Sequence, residues 1–152
     1  MSSTTPVLDA PAEAAATLRN ASADEIRATF AMQQAHRWTS AAQSASQRIA
    51  SLERLRAAIL ETRGELFDAM WIDLHKSATE AEMSEIHPVL VEIGHTIKHL
   101  RGWMRHRKVS TPVSLFGTRA EIRSEAKGVV LVIAPWNYPF NLLINPLVAA
   151  LP

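Results

Sequence analysis

Apolar residues recur with a helical period through much of the chain, and this pattern gives way to a stretch without charged side chains over residues 128–152. Up to residue 108, apolar positions are three and four residues apart, which predicts amphipathic helices that pack through one face. Residues 1–21 are rich in Ser, Thr, Ala and Pro and carry no such period, so we interpret them as a disordered tail. The chain therefore divides into a tail, a helical region over residues 22–108, a connecting region over residues 109–127 and the charge-free segment.

Three helices are predicted at the start of the helical region. The first begins at a capping box in which Ser22 and Glu25 satisfy each other's backbone N–H groups, and it ends at Trp38. The second is amphipathic and ends at Gly64, a residue suited to a helix C-cap. The third, over residues 66–74, is so densely apolar that we expect it to be short and mostly buried.

The fourth helix is predicted to be the longest, and it begins at a capping box of Ser77 and Glu80. Its apolar residues alternate three and four apart, which indicates a seam that packs on a partner helix. The members of this seam are Met83, Ile86, Leu90, Ile93, Ile97, Leu100 and Met104. Pro88 lacks the N–H that would bond to the carbonyl of Ser84, so we expect a kink there.

The end of this helix is basic, with Lys, Arg and His residues concentrated over residues 98–108. Such a run with Trp103 inside it also occurs in nucleic-acid interfaces. The whole chain, however, has 16 Lys and Arg against 15 Asp and Glu, and a net charge of +1 gives no bulk attraction to nucleic acid or anionic membranes. We therefore interpret the basic run as a complement to the negative end of the helix dipole, and expect a small-molecule partner and no nucleic-acid partner.

The remaining residues predict a loop, two strands and a helix. Residues 109–118 have loop composition, and residues 120–125 alternate between small or apolar and charged side chains as a half-exposed strand does. Residues 129–133 are apolar and mostly β-branched, which is typical of a strand buried on both faces of a parallel sheet. Pro135 ends this strand, and Pro139 suits the first turn of a helix. The order of strand, loop and helix predicts an α/β fold with a ligand crevice at the loop.

The pentapeptide Pro-Trp-Asn-Tyr-Pro at residues 135–139, directly after the predicted strand, resembles the motif of the aldehyde dehydrogenase superfamily. The wider similarity is to the class 3 branch and spans residues 24–152. It rests on Gly128-Val129-Val130, residues 145–151, Asp73-Leu74-His75-Lys76, Glu85-Ile86 and Thr111-Pro112. The resemblance implies an aldehyde dehydrogenase-like α/β fold, of which this chain holds the amino-terminal helices, one oligomerisation-type strand and the first strand–helix unit of the cofactor-binding sheet. Because members of the superfamily are much longer, we expect the chain to be an amino-terminal fragment.

The resemblance also implies a reaction, the NAD(P)-dependent oxidation of an aldehyde to a carboxylic acid through a thiohemiacetal and a thioester. Asn137 matches the catalytic asparagine, whose carboxamide N–H stabilises the oxyanion of the tetrahedral intermediate. The matching positions beside the nicotinamide ribose are Ala134, Pro135 and Trp136, and those along the aldehyde tunnel are Tyr138, Asn141 and Leu142. The resemblance further implies a homodimer.

The sequence lacks one part of that machinery, because it contains no cysteine. The nucleophile of the reaction is a cysteine thiolate, so the 152-residue chain alone is expected to be inactive. The amino terminus has neither a basic region followed by an apolar core nor an Arg-rich, acid-poor composition. It therefore matches neither a secretory signal nor a mitochondrial presequence, and we expect a cytoplasmic protein.

Three other interpretations compete with this one. Asn137 could be an ordinary helix N-cap before Pro139. His95 and His99, one helical turn apart, could share a metal ion, but no third ligand is apparent and we expect a solvated helix face and no metal. The uncharged end of the chain is long enough for a carboxyl-terminal membrane anchor on a helical interaction module. Its prolines and asparagines argue against a lipid-exposed helix, so no membrane partner is expected.

Overall fold

The structure is a computed structural model that describes residues 20–151, which form a mostly helical array with one small sheet. The predicted tail over residues 1–21 lies almost entirely outside the described residues. The α-helices are α1 (Ala23–Ala41), α2 (Ala45–Glu61), α3 (Arg63–Leu74), α4 (Ala78–Ala81), α5 (His87–Trp103) and α6 (Pro139–Ala150). A π-helical turn, Glu82–Ile86, joins α4 to α5 without a break. The strands β1 (Arg107–Val109) and β2 (Ala120–Ile122) pair antiparallel, and a 3₁₀ turn, Val113–Leu115, lies between them.

The capping box that starts α1 is present as predicted. The Ser22 N–H donates to the Glu25 carboxylate at 2.7 Å, and the Glu25 N–H donates to the Ser22 hydroxyl at 3.2 Å. The helix does not end at Trp38 but continues to Ala41, because the polar residues that follow Trp38 do not break a helix. A second capping box, formed by Ser44 and Gln47, starts α2.

The predicted C-cap at Gly64 is wrong. The second helix ends at Glu61, Thr62 separates it from the third, and Gly64 lies in the first turn of α3. The left-handed residue that ends α3 is His75, with φ 54°, a conformation more usual for Gly or Asn. The prediction that this helix is mostly buried is also wrong. Among its residues Met70 is buried, whereas Trp71 is 56% and Ile72 is 68% exposed.

The hydrophobic core lies between α2, the π turn, α5 and α6. Its fully or nearly fully buried members are Leu52, Ile59, Ile86, Val89, Ile93 and Val148. The predicted seam along the long helix thus packs on α2, as expected, but α6 covers the same cluster, which was not expected. At the position of the predicted kink the helix contains the π turn, which ends at Ile86, two residues before Pro88. Because this turn changes the helical period, Met83 falls on the exposed side.

The interpretation of the basic run as a helix terminus is wrong for most of its residues. The helix α5 ends at Trp103, and Arg101 is the basic residue of its last turn. Residues 104–106 beyond it form a turn, and Arg107 and Lys108 belong to β1, in which Lys108 pairs with Glu121 of β2. Of the strand predicted over residues 120–125, the first three residues are a strand. They pair with a segment that the sequence had assigned to a helix end and a loop.

Residues 129–133 form no strand, since β1 and β2 are the strands of the described chain and they pair with each other. Strands of a sheet need neighbours, and a parallel neighbour is not found among residues 20–151. Val130, Leu131 and Ile133 are 56%, 82% and 82% exposed, respectively. No helix of the described chain is long and apolar enough to cross a membrane.

Candidate active site

The loop between residues 134 and 139 leads into α6, which begins at Pro139 as predicted. Pro139 suits this first position because its missing N–H would have no partner within the helix. The N-cap position is occupied by Tyr138, whose own side chain makes no cap hydrogen bond. The interpretation of Asn137 as an ordinary helix N-cap is therefore wrong.

Asn137 has a free side chain on a fixed backbone. The residue is exposed, and its carboxamide makes no hydrogen bond to any of residues 20–151. Its main-chain carbonyl, in contrast, accepts a hydrogen bond of 2.7 Å from the Lys76 ammonium. The Asn137 carboxamide is therefore an uncharged N–H donor at the surface of the loop. The main-chain carbonyl of the same residue is bonded to Lys76 on the buried side.

Lys76 forms a buried ion pair with Glu85 underneath this loop. The two atoms Lys76 Nζ and Glu85 Oε1 are 2.5 Å apart, and the side chains are 9% and 0% exposed. Lys76 follows the left-handed turn at His75, and Glu85 lies in the π turn, so both partners come from irregular points of the helical region. The Lys76 ammonium also lies 4.2 Å from the centroid of the Tyr138 ring, within the range of a cation–π contact.

The second carboxylate oxygen of Glu85 is directed to the first turn of α6. It accepts a hydrogen bond of 2.9 Å from the main-chain N–H of Asn141. This N–H is one of those that a helix leaves without an intrahelical partner, and a carboxylate there also interacts favourably with the helix dipole. Glu85 thus caps α6 from a neighbouring helix, where Tyr138 cannot.

The side chain of Asn141 ties α6 to the π turn. Its carboxamide Nδ2 donates to the Ser84 carbonyl at 2.9 Å, the carbonyl that has no N–H partner at Pro88, and its Oδ1 accepts from Asn145 Nδ2 at 2.6 Å. The Asn145 Oδ1 atom is buried and has no partner among the described residues. Both polar atoms of the Asn141 side chain are therefore used inside the chain.

The three residues predicted to bind the cofactor lie together around one open depression of about 200 Å³. Ala134, Pro135 and Trp136 line it with Pro139 and Leu143 of α6, and no charged side chain contributes. The wall of this depression is uncharged and mostly apolar. It offers no group that would neutralise phosphates.

The residues predicted to line the aldehyde tunnel occupy the first turn of α6 but differ in environment. Tyr138 and Leu142 are 41% and 37% exposed, so each presents part of its side chain outward. Asn141 lies between them in sequence and is half-buried against Ser84.

The two histidines one turn apart on α5 pack as an aromatic row. The ring centroids of His95 and His99 are 4.2 Å apart, and that of Trp103 is 5.8 Å from His99. The His99 Nδ1–H donates to the His95 carbonyl at 2.8 Å. No group of three potential metal ligands occurs in the part of the chain that the structure describes.

Lys76 and Glu85 have no role predicted from the sequence, although both belong to the stretches that carry the resemblance. The available signal was a charged residue beside Ile86, next to the apolar seam of the long helix. A carboxylate next to such a seam needs a partner, because an unpaired buried charge is strongly destabilising. The identity of that partner required the fold.

Comparisons with known proteins agree with this architecture. The chain is 44% identical over 108 residues to aldehyde dehydrogenase family 3 member B1 of Mus musculus, which covers 71% of this chain and 23% of the relative. It is 39% identical over 100 residues to the 4,4'-diaponeurosporen-aldehyde dehydrogenase of Staphylococcus aureus, covering 66% of this chain and 22% of the relative. The chain thus spans less than a quarter of the length of these two curated relatives.

A solved structure shares the fold as well. The substrate-bound state of Staphylococcus aureus AldH superposes with a TM-score of 0.78 at 36% sequence identity, over 83% of this chain and 28% of that one. The mostly helical array with its small sheet is therefore part of an aldehyde dehydrogenase-like fold. The sequence profile described as "Aldehyde dehydrogenase family" matches residues 2–152. With a profile that covers nearly the whole chain, and relatives and a solved structure that agree with it, the chain belongs to the aldehyde dehydrogenase family.

Proposed function

We propose that the whole protein containing this chain oxidises an aldehyde to a carboxylic acid with NAD or NADP, and that Asn137 stabilises the oxyanion of the reaction. The observation that carries the second part is the state of the Asn137 side chain. It is exposed and unbonded among residues 20–151, while its peptide carbonyl is held by Lys76. The backbone that carries this donor is thus held before the substrate arrives, and no internal hydrogen bond has to break for the carboxamide to donate.

In the proposed reaction a cysteine thiolate attacks the aldehyde carbon and the carbonyl electron pair moves to oxygen. The chain contains no cysteine, so this thiolate is supplied by residues outside these 152. The Asn137 carboxamide N–H donates to the resulting oxyanion. When the carbonyl re-forms, hydride leaves the same carbon and a thioester remains, which water hydrolyses to the carboxylic acid and the free thiol. Asn137 is the donor that this chain contributes.

The depression beside the loop is the proposed binding site for the nicotinamide end of the cofactor. When bound, the cofactor would supply the hydride acceptor. Ala134, Pro135 and Trp136 would hold it through backbone and apolar contacts. Because these residues directly precede Asn137, the proposed contacts with the cofactor and with the oxyanion come from one loop. Choice between NAD and NADP depends on groups that face the adenosine ribose, and none of these three residues carries a charge that would decide it.

For the aldehyde we propose contacts with Tyr138 and Leu142, whose side chains are partly exposed at the start of α6. Asn141, also predicted to line the tunnel, is better placed to support α6, because both polar atoms of its side chain bond within the chain. The homodimer and the cytoplasmic location remain predictions of the resemblance and of the amino-terminal composition.

The test is steady-state kinetics of Asn137→Ala in the full-length protein. Loss of the donor should lower kcat by about 10²- to 10³-fold, with a much smaller change in the KM for the cofactor. Asn137→Asp should be at least as harmful, since a carboxylate repels the negative charge that the carboxamide stabilises. Gln33→Ala, which removes an exposed carboxamide from α1, is the control and should stay within about threefold of wild type. An Asn137→Ala enzyme within about threefold of wild type would refute the proposed role.

A further inference from the structure

The buried pair of Lys76 and Glu85 makes its remaining hydrogen bonds to the loop that carries Asn137. The attraction within a buried ion pair offsets the cost of desolvating its two charges only when the geometry is good and the other donors and acceptors of both groups are satisfied. Lys76 uses a second N–H on the Asn137 carbonyl at 2.7 Å, and Glu85 uses its second oxygen on the Asn141 N–H at 2.9 Å. The pair therefore holds both ends of the turn from the loop into α6.

These two contacts fix the backbone on which the Asn137 side chain stands. The peptide group after Asn137 is held through its carbonyl, and Pro139, two residues later, has a fixed φ. The carboxamide has no hydrogen bond of its own within residues 20–151, so its direction depends on the backbone and on its rotamer. A shift of about 1 Å in the position of a catalytic group can lower the rate about 10²-fold.

We propose that Lys76 and Glu85 are positioning residues for Asn137, and that the π turn exists in this helix to direct Glu85 to the loop. The proposal rests on the function proposed above for Asn137. Both side chains are too buried to meet an aldehyde, at 9% and 0% exposed, so they act through the loop. The π turn fits this role because the change in helical period within it alters which side chains face the loop, and such turns occur often at functional sites.

A purely structural role for the pair makes a different prediction from a positioning role. If the pair is purely structural, its loss lowers stability and changes the rate by the same factor whether or not Asn137 is present. A positioning pair acts through the Asn137 donor, so its loss matters little once that donor is gone. A double-mutant cycle separates the two.

The experiment measures kcat of the full-length protein carrying Lys76→Met or Glu85→Gln, alone and combined with Asn137→Ala. Each single variant should lower kcat by about 10- to 100-fold, with a change below about threefold in the KM for the cofactor. In the Asn137→Ala background the further loss should be below about threefold. Equal factors in both backgrounds, or a Lys76→Met enzyme within about threefold of wild type, overturn the proposal.

The control is the neighbouring ion pair of Arg63 and Glu82, which also includes a residue of the π turn but does not contact the loop. Arg63→Met and Glu82→Gln should leave kcat within about threefold of wild type. Thermal unfolding of each variant checks that it folds. Glu85→Gln keeps an acceptor for the Asn141 N–H, so it serves if Lys76→Met does not fold; if neither folds, the pair is a stability element and the proposal is overturned.

The same data distinguish failure of this inference from failure of the proposed function. If Asn137→Ala itself remains within about threefold of wild type, the role of Asn137 is wrong and the positioning proposal falls with it. Only the positioning proposal fails if Asn137→Ala lowers kcat but the Lys76 and Glu85 variants do not. The same holds if those variants lower kcat by the same factor with and without Asn137→Ala.

Discussion

The helical core and the segment over residues 128–138 are both rich in apolar residues, yet those of the core are buried and most of those in the segment are exposed. In the core, residues such as Leu52 and Ile93 are completely buried between three helices. In the segment, Leu131 and Ile133 are each 82% exposed and belong to no strand. Helices satisfy their own backbone groups and then pack, whereas a strand depends on neighbours for its hydrogen bonds. Apolar sequence is thus sufficient to place a helix in this chain but not to place the strand.

The active-site loop lies at the boundary between these two regions. Its beginning, Ala134 to Trp136, follows the segment that forms no strand, and its end is the first turn of α6, whose Val148 is buried in the core. The buried pair beneath it belongs to the helical side. The main-chain carbonyl of Asn137 is therefore bonded to the helical region, while Pro135 and Trp136 before it are exposed.

The largest expected effect on stability is in the core. Ile93→Ala removes a fully buried side chain between α2, α5 and α6 and should lower the free energy of unfolding by about 2–5 kcal/mol. Val91→Ala on the same helix, where the side chain is 55% exposed, should change it by less than about 0.5 kcal/mol. Urea unfolding of the 152-residue chain, followed by its helical circular dichroism, measures both. Equal effects at the two positions would contradict the packing described for α5.

A smaller effect on stability is expected at Arg48 of α2, which bonds to the connection between α1 and α2 and to Leu151 after α6. Arg48 is 7% exposed, and its guanidinium donates to the carbonyls of Ser40 at 2.8 Å, Ala41 and Gln43 at 3.2 Å, and Leu151 at 3.3 Å. Among these acceptors the Ala41 carbonyl belongs to the last turn of α1, where carbonyls lack intrahelical partners. Arg48→Met keeps the bulk of the side chain but loses these bonds, and should cost about 1.5–3 kcal/mol.

The control for this variant is Arg56→Met, an exposed position on the same helix, which should stay within about 0.5 kcal/mol of wild type. The same urea titration applies. If Arg48→Met were no more harmful than Arg56→Met, the bonds to α1 and Leu151 would contribute nothing to holding the array together.

Features set by a few adjacent residues could be predicted from the sequence. The start of α1 at Ser22 follows from a capping box, and the start of α6 follows from the conformational restriction of Pro139. Gly64 was misassigned because a glycine next to a helix end resembles a C-cap, while His75 took the left-handed conformation that the sequence pattern reserves for glycine. Local rules assign such positions correctly only when tertiary contacts agree with them.

Features that depend on distant residues could not be predicted in this way. The contact between Lys76 and Asn137 joins residues 61 positions apart, and that between Glu85 and Asn141 joins residues 56 apart. The docking of α6 on the core is equally non-local. Asn137 itself was found through a motif, but the reason that its backbone is fixed, and that Asn141 bonds inward, lies in these long-range contacts.

The smallest expected effect on stability is in the segment over residues 128–138, at Ile133. In the 152-residue chain, Ile133→Ala should change the free energy of unfolding by less than about 0.5 kcal/mol, because the side chain is already 82% exposed. In the full-length protein the same change should approach the cost of a buried isoleucine, about 2–5 kcal/mol, if residues 129–133 join the parallel sheet that their pattern predicts. Ile93→Ala is the control, since its site is buried within this chain and should be destabilising in both settings.

Thermal unfolding of the two proteins and their variants measures this contrast. A large effect of Ile133→Ala in the short chain would mean that the segment packs on residues already present, contrary to its exposure. No effect in the full-length protein would mean that residues 129–133 are not a sheet strand. Only a change that is small in one setting and large in the other supports the view that this segment carries its strand pattern for neighbours that are not among the 152 residues.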